Sequence, residues 1–136
     1  MVIRRWIFAV LLGTTAGLAW HGATALAAPV PSAEAAQAVV ITDLTVGDDL
    51  VSGTVVNKSA ASLREIRVLL RQAWQWKDER HPGADSPGQT TPFTLALNVA
   101  PNASAPFTVS PPRLPQRSDG RFVTTMEVVG FSEVGP

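Results

Sequence analysis

The chain has 136 residues, 11 Lys+Arg against 11 Asp+Glu, and no cysteine. Thiol redox chemistry, disulfide staples and cysteine-ligated metals are therefore excluded. A formal net charge of zero lacks the basic excess that a nucleic-acid partner requires.

The first segment reads as an address. Arg4 and Arg5 form a basic n-region, Trp6 to Leu12 opens an apolar h-region, and Ala25-Leu26-Ala27 supplies a small-x-small cleavage site. That order predicts a signal peptide over residues 1–27 and export to the periplasm or beyond. The rival reading is an uncleaved anchor, because Trp6 to Ala28 carries no formal charge and is long enough to cross a bilayer. Gly13, Thr14, Thr15, Gly17, His21 and Gly22 dilute its hydropathy and favour cleavage. Without cysteine there is no lipid-attachment residue. Cleavage leaves 109 residues in which nine basic side chains face eleven acidic ones, a net of −2 with no remaining membrane span. That length suits one domain with a single core, held by packing alone.

Residues 28–38 read as a linker without aromatic or periodic content, and residues 39–134 as the domain. Val39 to Val46 is a first strand, turned by Gly47, Asp48 and Asp49 into a second. In that second strand Val51, Gly53 and Val55 alternate with Leu50, Ser52, Thr54 and Val56, and Asn57, Lys58 and Ser59 form a turn. From Ile66 the alternation is longer. Ile66, Val68, Leu70, Trp74 and Trp76 share one parity, broken only by Gln72, while Arg67, Arg71, Gln75 and Lys77 share the other. A helical rival exists here, since Leu63, Ile66, Leu70, Ala73 and Trp74 fit helical spacing and Ser62 with Glu65 resembles a capping box. The β-branched residues and the polar alternation favour the strand.

Asp78 to Thr90 then carries Pro82, Gly83, Pro87 and Gly88 and reads as a long surface loop. Phe93 to Val99 alternates again, Pro101-Asn102-Ala103 turns the chain, and Phe107 to Val109 is a short strand. Ser110 to Gly120 is a proline-rich surface crossing, and Arg121 to Phe131 is a last strand with Phe122, Met126 and Val128 on one parity. Six to seven strands without a helix predict a small antiparallel β-sandwich.

Val51-x-Gly53-x-Val55-x-Asn57, followed by a long alternating strand and a turn leading to an isolated Phe107, resembles the FxLYD-type domains of exported prokaryotic proteins. The resemblance covers residues 39–134 and implies an immunoglobulin-like sandwich, an exported location and no catalytic residues. The chain departs from the family pattern at Ala73-Trp74-Gln75-Trp76-Lys77, where a Phe-x-Leu-Tyr-Asp-like strand end is usual, and at Pro101-Asn102, where Pro-Gly is usual.

After processing His81 is the one histidine, and no nucleophile elbow stands in the sequence for it to serve. Asp48, Asp49, Asp78, Glu79, Asp85 and Glu127 read as turn or surface carboxylates rather than as a glycosidase pair. Asp78, Glu79, His81 and Asp85 share one loop, but their spacing matches neither a zinc nor a calcium motif. No enzyme, metal or cofactor is expected. Asn57-Lys58-Ser59 and Asn102-Ala103-Ser104 match the glycosylation sequon but read as turns.

Two binding readings remain. One is a protein-interaction or assembly module that docks another envelope protein at the junction of Trp74, Trp76 and Lys77 with Arg80 and His81, since aromatic and arginine side chains dominate interface hot spots. The other is a carbohydrate or small-ligand module in which Trp74 and Trp76 stack on a ring. The parity shared with Val68 and Leu70 favours the first, because it turns the indoles inward. The signal reading has a direct check: terminal sequencing of the exported protein is expected to start near Ala28, and a mature form still carrying Arg4 and Arg5 replaces secretion with anchoring.

Overall fold

A computed structural model describes residues 32–135, and the expected signal peptide lies outside the described residues. Six strands follow a short helix: α1 (Ser32–Ala38), β1 (Val39–Val46), β2 (Val51–Asn57), β3 (Ser62–Trp76), β4 (Gly88–Val99), β5 (Ser104–Val109) and β6 (Gly120–Val134). They form two antiparallel three-stranded sheets, ordered β1-β2-β5 and β4-β3-β6. The chain makes one hairpin in each sheet and then returns once to each. This is a small antiparallel β-sandwich, and its strand order follows the immunoglobulin-like course.

The core lies between the sheets. Val39, Val51, Val55, Phe107 and Val109 come from one side, and Ile66, Val68, Leu70, Leu95, Val99, Val128 and Phe131 from the other. Parity does this work, since opposite parities of one strand face opposite sides of its sheet. Val68 and Leu70 are fully buried whereas Arg67 and Arg71 are exposed.

Strand β3 starts four residues before the alternation at Ile66 becomes regular. Leu63 and Ile66 are both buried although they differ in parity, because Glu65 has a positive φ of 51° and the ladder to β6 shifts between Arg64 and Arg67, where β3 carries the extra residue. A bulge of this kind inserts one residue and resets the parity. It also removes the helical reading, which needed Ser62 and Glu65 in one helical turn. A second irregularity in β1, at Asp43 with φ 54°, shifts its register between Thr42 and Thr45. Strand β4 begins at Gly88, five residues before Phe93, and its polar start matches the exposure of an edge strand. Pro92 is accommodated there because an edge strand has one side free of ladder bonds.

The linker reading of 28–38 needs correction over its described residues, 32–38, as does the expectation of no helix. Ser32–Ala38 is helical, Ala35 is fully buried in the core, and the Ala38 carbonyl accepts from the Lys58 N–H at 2.8 Å. Alanine is the best helix former, and its small side chain lets a helix approach the sheets closely. The sequence suggested a tether because alanine carries no periodic signal.

The Val-x-Gly-x-Val-x-Asn stretch has a packing reason at each position. Val51 and Val55 enter the core, and Gly53 lies under Phe107, its cross-strand partner, where an added Cβ would stand 2.9 Å from the ring. Asn57 is completely buried. Its Nδ2 donates to the carbonyls of Ala61, Val99 and Ala100 at 2.8, 3.0 and 3.0 Å, and its Oδ1 accepts from the Ser59 N–H and hydroxyl. In the other sequon, Asn102 takes a positive φ of 57° in a turn closed by Ala103 N–H donating to Ala100 O, the conformation glycine would otherwise supply.

Leu70→Ala is expected to lose about 2 to 5 kcal/mol in denaturant unfolding, and Arg71→Ala no more than about 0.5 kcal/mol. Asn57→Ala, which strands buried carbonyls, is expected to lose about 2 to 4 kcal/mol, whereas Asn102→Gly keeps the turn and leaves stability near the wild-type value. Equal losses at positions 70 and 71 would mean that β3 is buried on both faces.

Candidate tryptophan cluster at the open end of the sandwich

Strands β3 and β6 have 15 residues each, whereas β1, β2 and β5 have 8, 7 and 6. The long pair therefore runs past the end of the smaller sheet. Trp74, Trp76 and Phe122 stand on this overhang and belong to no part of the main core cluster. The proline-rich crossing, residues 110–119, covers them.

The rings meet edge to face. Trp74 and Trp76 have centroids 6.0 Å apart at 83°, and Trp74 and Phe122 4.8 Å apart at 71°. The Arg117 guanidinium lies 5.1 Å from the Trp74 ring centroid and 5.0 Å from that of Trp76, within cation–π range. Asp119 fixes it there, accepting from Arg117 Nε at 3.0 Å and Nη2 at 2.7 Å. That hydrogen bonding holds the Asp119 carboxyl below its ordinary value and raises Arg117 further. Gly120, next in the chain, sits against the indole: an added Cβ would lie 2.8 Å from Trp74 Cε2.

Trp74 is 2% exposed, and its indole N–H has no acceptor among the described residues. Trp76 is half-buried. Beside Trp74 a cleft of about 160 Å³ is walled by Pro87, Leu114, Pro115, Arg117 and Phe122. Leu114 and Phe122 also border a larger groove of about 460 Å³, which runs to the β1–β2 turn and has Gln72 on its lining. Gln72 is buried and its Oε1 accepts from Gln89 Nε2, which also donates to the Pro112 carbonyl. Arg113 ties the crossing to the β1–β2 turn through a two-point pair with Asp49 at 2.6 and 2.9 Å. Both partners are exposed, so this tie contributes little to stability.

The residues singled out from the sequence are only partly brought together. Trp74 and Trp76 are in contact, and Lys77 borders with Trp76 a groove of about 280 Å³ together with Gln75, Glu79 and Arg121. Arg80 and His81 are exposed on the following loop and do not border that groove. The cation over the indoles is Arg117, about forty residues further along, which only the return of β6 along β3 places here. The Arg117-x-Asp119 spacing, two residues before an aromatic strand, was the available signal. Loop carboxylates 78, 79 and 85 and His81 form no group placed to hold a metal among the described residues.

No family model matches the chain, and no curated protein or solved structure matches it either.

Because the Asp119 carboxyl is depressed, its hold on Arg117 is complete above the ordinary carboxylate value and is lost as pH falls through the lower folded value. Tryptophan emission is therefore expected to stay constant from neutral pH through the ordinary carboxylate range and to change only below it. Asp119→Asn should show the shifted emission already at neutral pH, and an Asp119→Asn spectrum identical to wild type at all pH values would show that Arg117 is held by something else.

Proposed function

We propose that the chain is a non-catalytic, exported β-sandwich module of the FxLYD type that docks another envelope protein through the tryptophan end. The carrying observation is the combination of Trp76 half-buried at a rim, Arg117 above it, and Leu114, Pro115 and Pro87 around a small cleft. Aromatic, arginine and apolar side chains next to a pre-formed concavity are the composition of interface hot spots. The FxLYD assignment is supported by the packing roles of Val51, Gly53, Val55, Asn57 and Phe107. Export rests on the order of the basic, apolar and small-residue segments before residue 28. Among the described residues no helix is long and apolar enough to cross a membrane.

The geometry weakens the carbohydrate reading. A sugar needs an open aromatic face, whereas Trp74 is buried with Phe122 at one side and Arg117 over the ring. Trp76 is more exposed, yet the same guanidinium covers it.

Capture of an envelope partner by the mature domain is expected to fall at least tenfold with Trp76→Ala and with Arg117→Ala, while Arg80→Ala leaves it unchanged. Folded fraction, read by circular dichroism on the same samples, separates binding from stability. Losses that merely track the unfolded fraction would remove the tryptophan end as the docking surface, and binding of soluble oligosaccharides abolished by Trp76→Ala would transfer the site to the carbohydrate reading.

A further inference from the structure

Each three-stranded sheet has two edges, and an unpaired edge is a template for another strand unless something blunts it. Three of the four edges are blunted. β1 carries the Asp43 bulge, β4 contains Pro92 and β5 contains Pro106. The fourth, β6, has no proline; its ladder shifts between Gly130 and Val128, but from Val128 to Gly120 it pairs with β3 from Val68 to Trp76 without a further shift. Among the described residues no strand pairs with its other side. Helix α1 also packs against β6, and its last residue, Ala38, is held by the Lys58 N–H at the end of the sheet remote from Gly120.

We propose that the free edge of β6 pairs antiparallel with the same edge of a second copy of this chain. The segment Arg121-Phe122-Val123-Thr124-Thr125-Met126-Glu127 is complementary to its own reverse. With Thr124 on the two-fold axis, Arg121 of one copy faces Glu127 of the other, Phe122 faces Met126, and Val123 faces Thr125. All three cross-strand matches are favourable: opposite charges, two large apolar groups, and two β-branched side chains. Arg121, Thr125 and Glu127 are exposed in the single chain, and Phe122, Val123, Thr124 and Met126 are half-buried. Arg121 uses its Nε on Gln75 Oε1, which leaves its terminal nitrogens for the partner carboxylate. Such a contact is isologous, repeats each charge pair twice, and joins the two β4-β3-β6 sheets into one continuous sheet of six strands. It shares Phe122 with the wall of the tryptophan cleft but runs along the strand edge, and Arg121 and Glu127 do not line that cleft.

The contact is short, so association is weak and needs concentrations from about 1 µM to about 1 mM to be read. Sedimentation equilibrium of the mature domain is expected to show a monomer–dimer equilibrium over that range. Arg121→Glu and Glu127→Arg each place like charges opposite one another twice, and each should weaken self-association at least tenfold while the domain stays folded by circular dichroism. An equimolar mixture of the two variants should restore dimers, because every facing pair is then opposite in sign. A wild-type chain that remains monomeric at the highest concentration overturns the proposal, as does a dimer indifferent to both reversals. Single-variant losses that the mixture fails to restore overturn the reciprocal register.

Discussion

The sandwich depends on one buried side chain. Asn57 ends β2 and, through donors to Ala61, Val99 and Ala100, fastens the turn into β3 and the turn out of β4 to the same point. Its backbone N–H reaches Ala103, and the next N–H reaches Ala38, so the entry to β5 and the end of α1 converge there too. Asn57 thus holds the β2–β3 and β4–β5 turns itself, and the neighbouring Lys58 N–H adds the end of α1. A buried amide is costly to leave unpaired and specific once paired, which makes it a better fastener than an apolar contact of the same size. With no cysteine in the chain, this network holds that end of the sandwich without a disulfide.

The opposite end follows from a mismatch of lengths. Strands β3 and β6 run beyond the smaller sheet, so the core-facing parity continues into Trp74 and Phe122 with no second sheet to cover it. A proline-rich segment suits that task. It needs few ladder partners, since proline has no N–H to satisfy, and its rings supply apolar cover beside Leu114. Arg117 completes the cover with a planar cation, and Asp119 fixes its orientation. The reverse face of the same strand end is closed differently: Gln75 is buried because its Nε2 donates to the Glu79 carbonyl and its Oε1 accepts from Arg121.

How much of this the sequence displayed depends on whether a signal was local. Alternation through Val68, Leu70 and Arg71 is local, so the strand, its faces and the fold class were legible. The inward turn of Trp74 was legible on the same ground. The bulge at Glu65 was not, because a residue count cannot show which position leaves the ladder, and the polar start of β4 hid a strand inside an expected loop. Helix α1 was hidden by alanine, which packs without periodicity. The cation over the indoles, Arg117, was hidden for a different reason. Arg80 is near in sequence, but the partner of a strand end is chosen by the neighbouring strand, and β6 delivers residues 117–122 to that position.

Both surfaces of interest originate in the same long β3–β6 pair. The irregularities that tune this fold fall outside the stretch from Val68 to Trp76, at Asp43 in β1, at Glu65 where β3 enters the core, and between Gly130 and Val128 in β6. Two of them serve packing: the one at Glu65 lets Leu63 and Ile66 both face inward, and the one at Asp43 bends an edge strand. From Leu70 to Trp76 no such device is present, so β6 runs straight beside β3 and keeps one edge regular. That regularity is what the tryptophan cluster needs, since a bulge in this stretch would rotate Trp74 or Phe122 to the solvent face. The open edge of β6 is therefore the geometrical consequence of holding two aromatic residues of adjacent strands in register beneath Arg117.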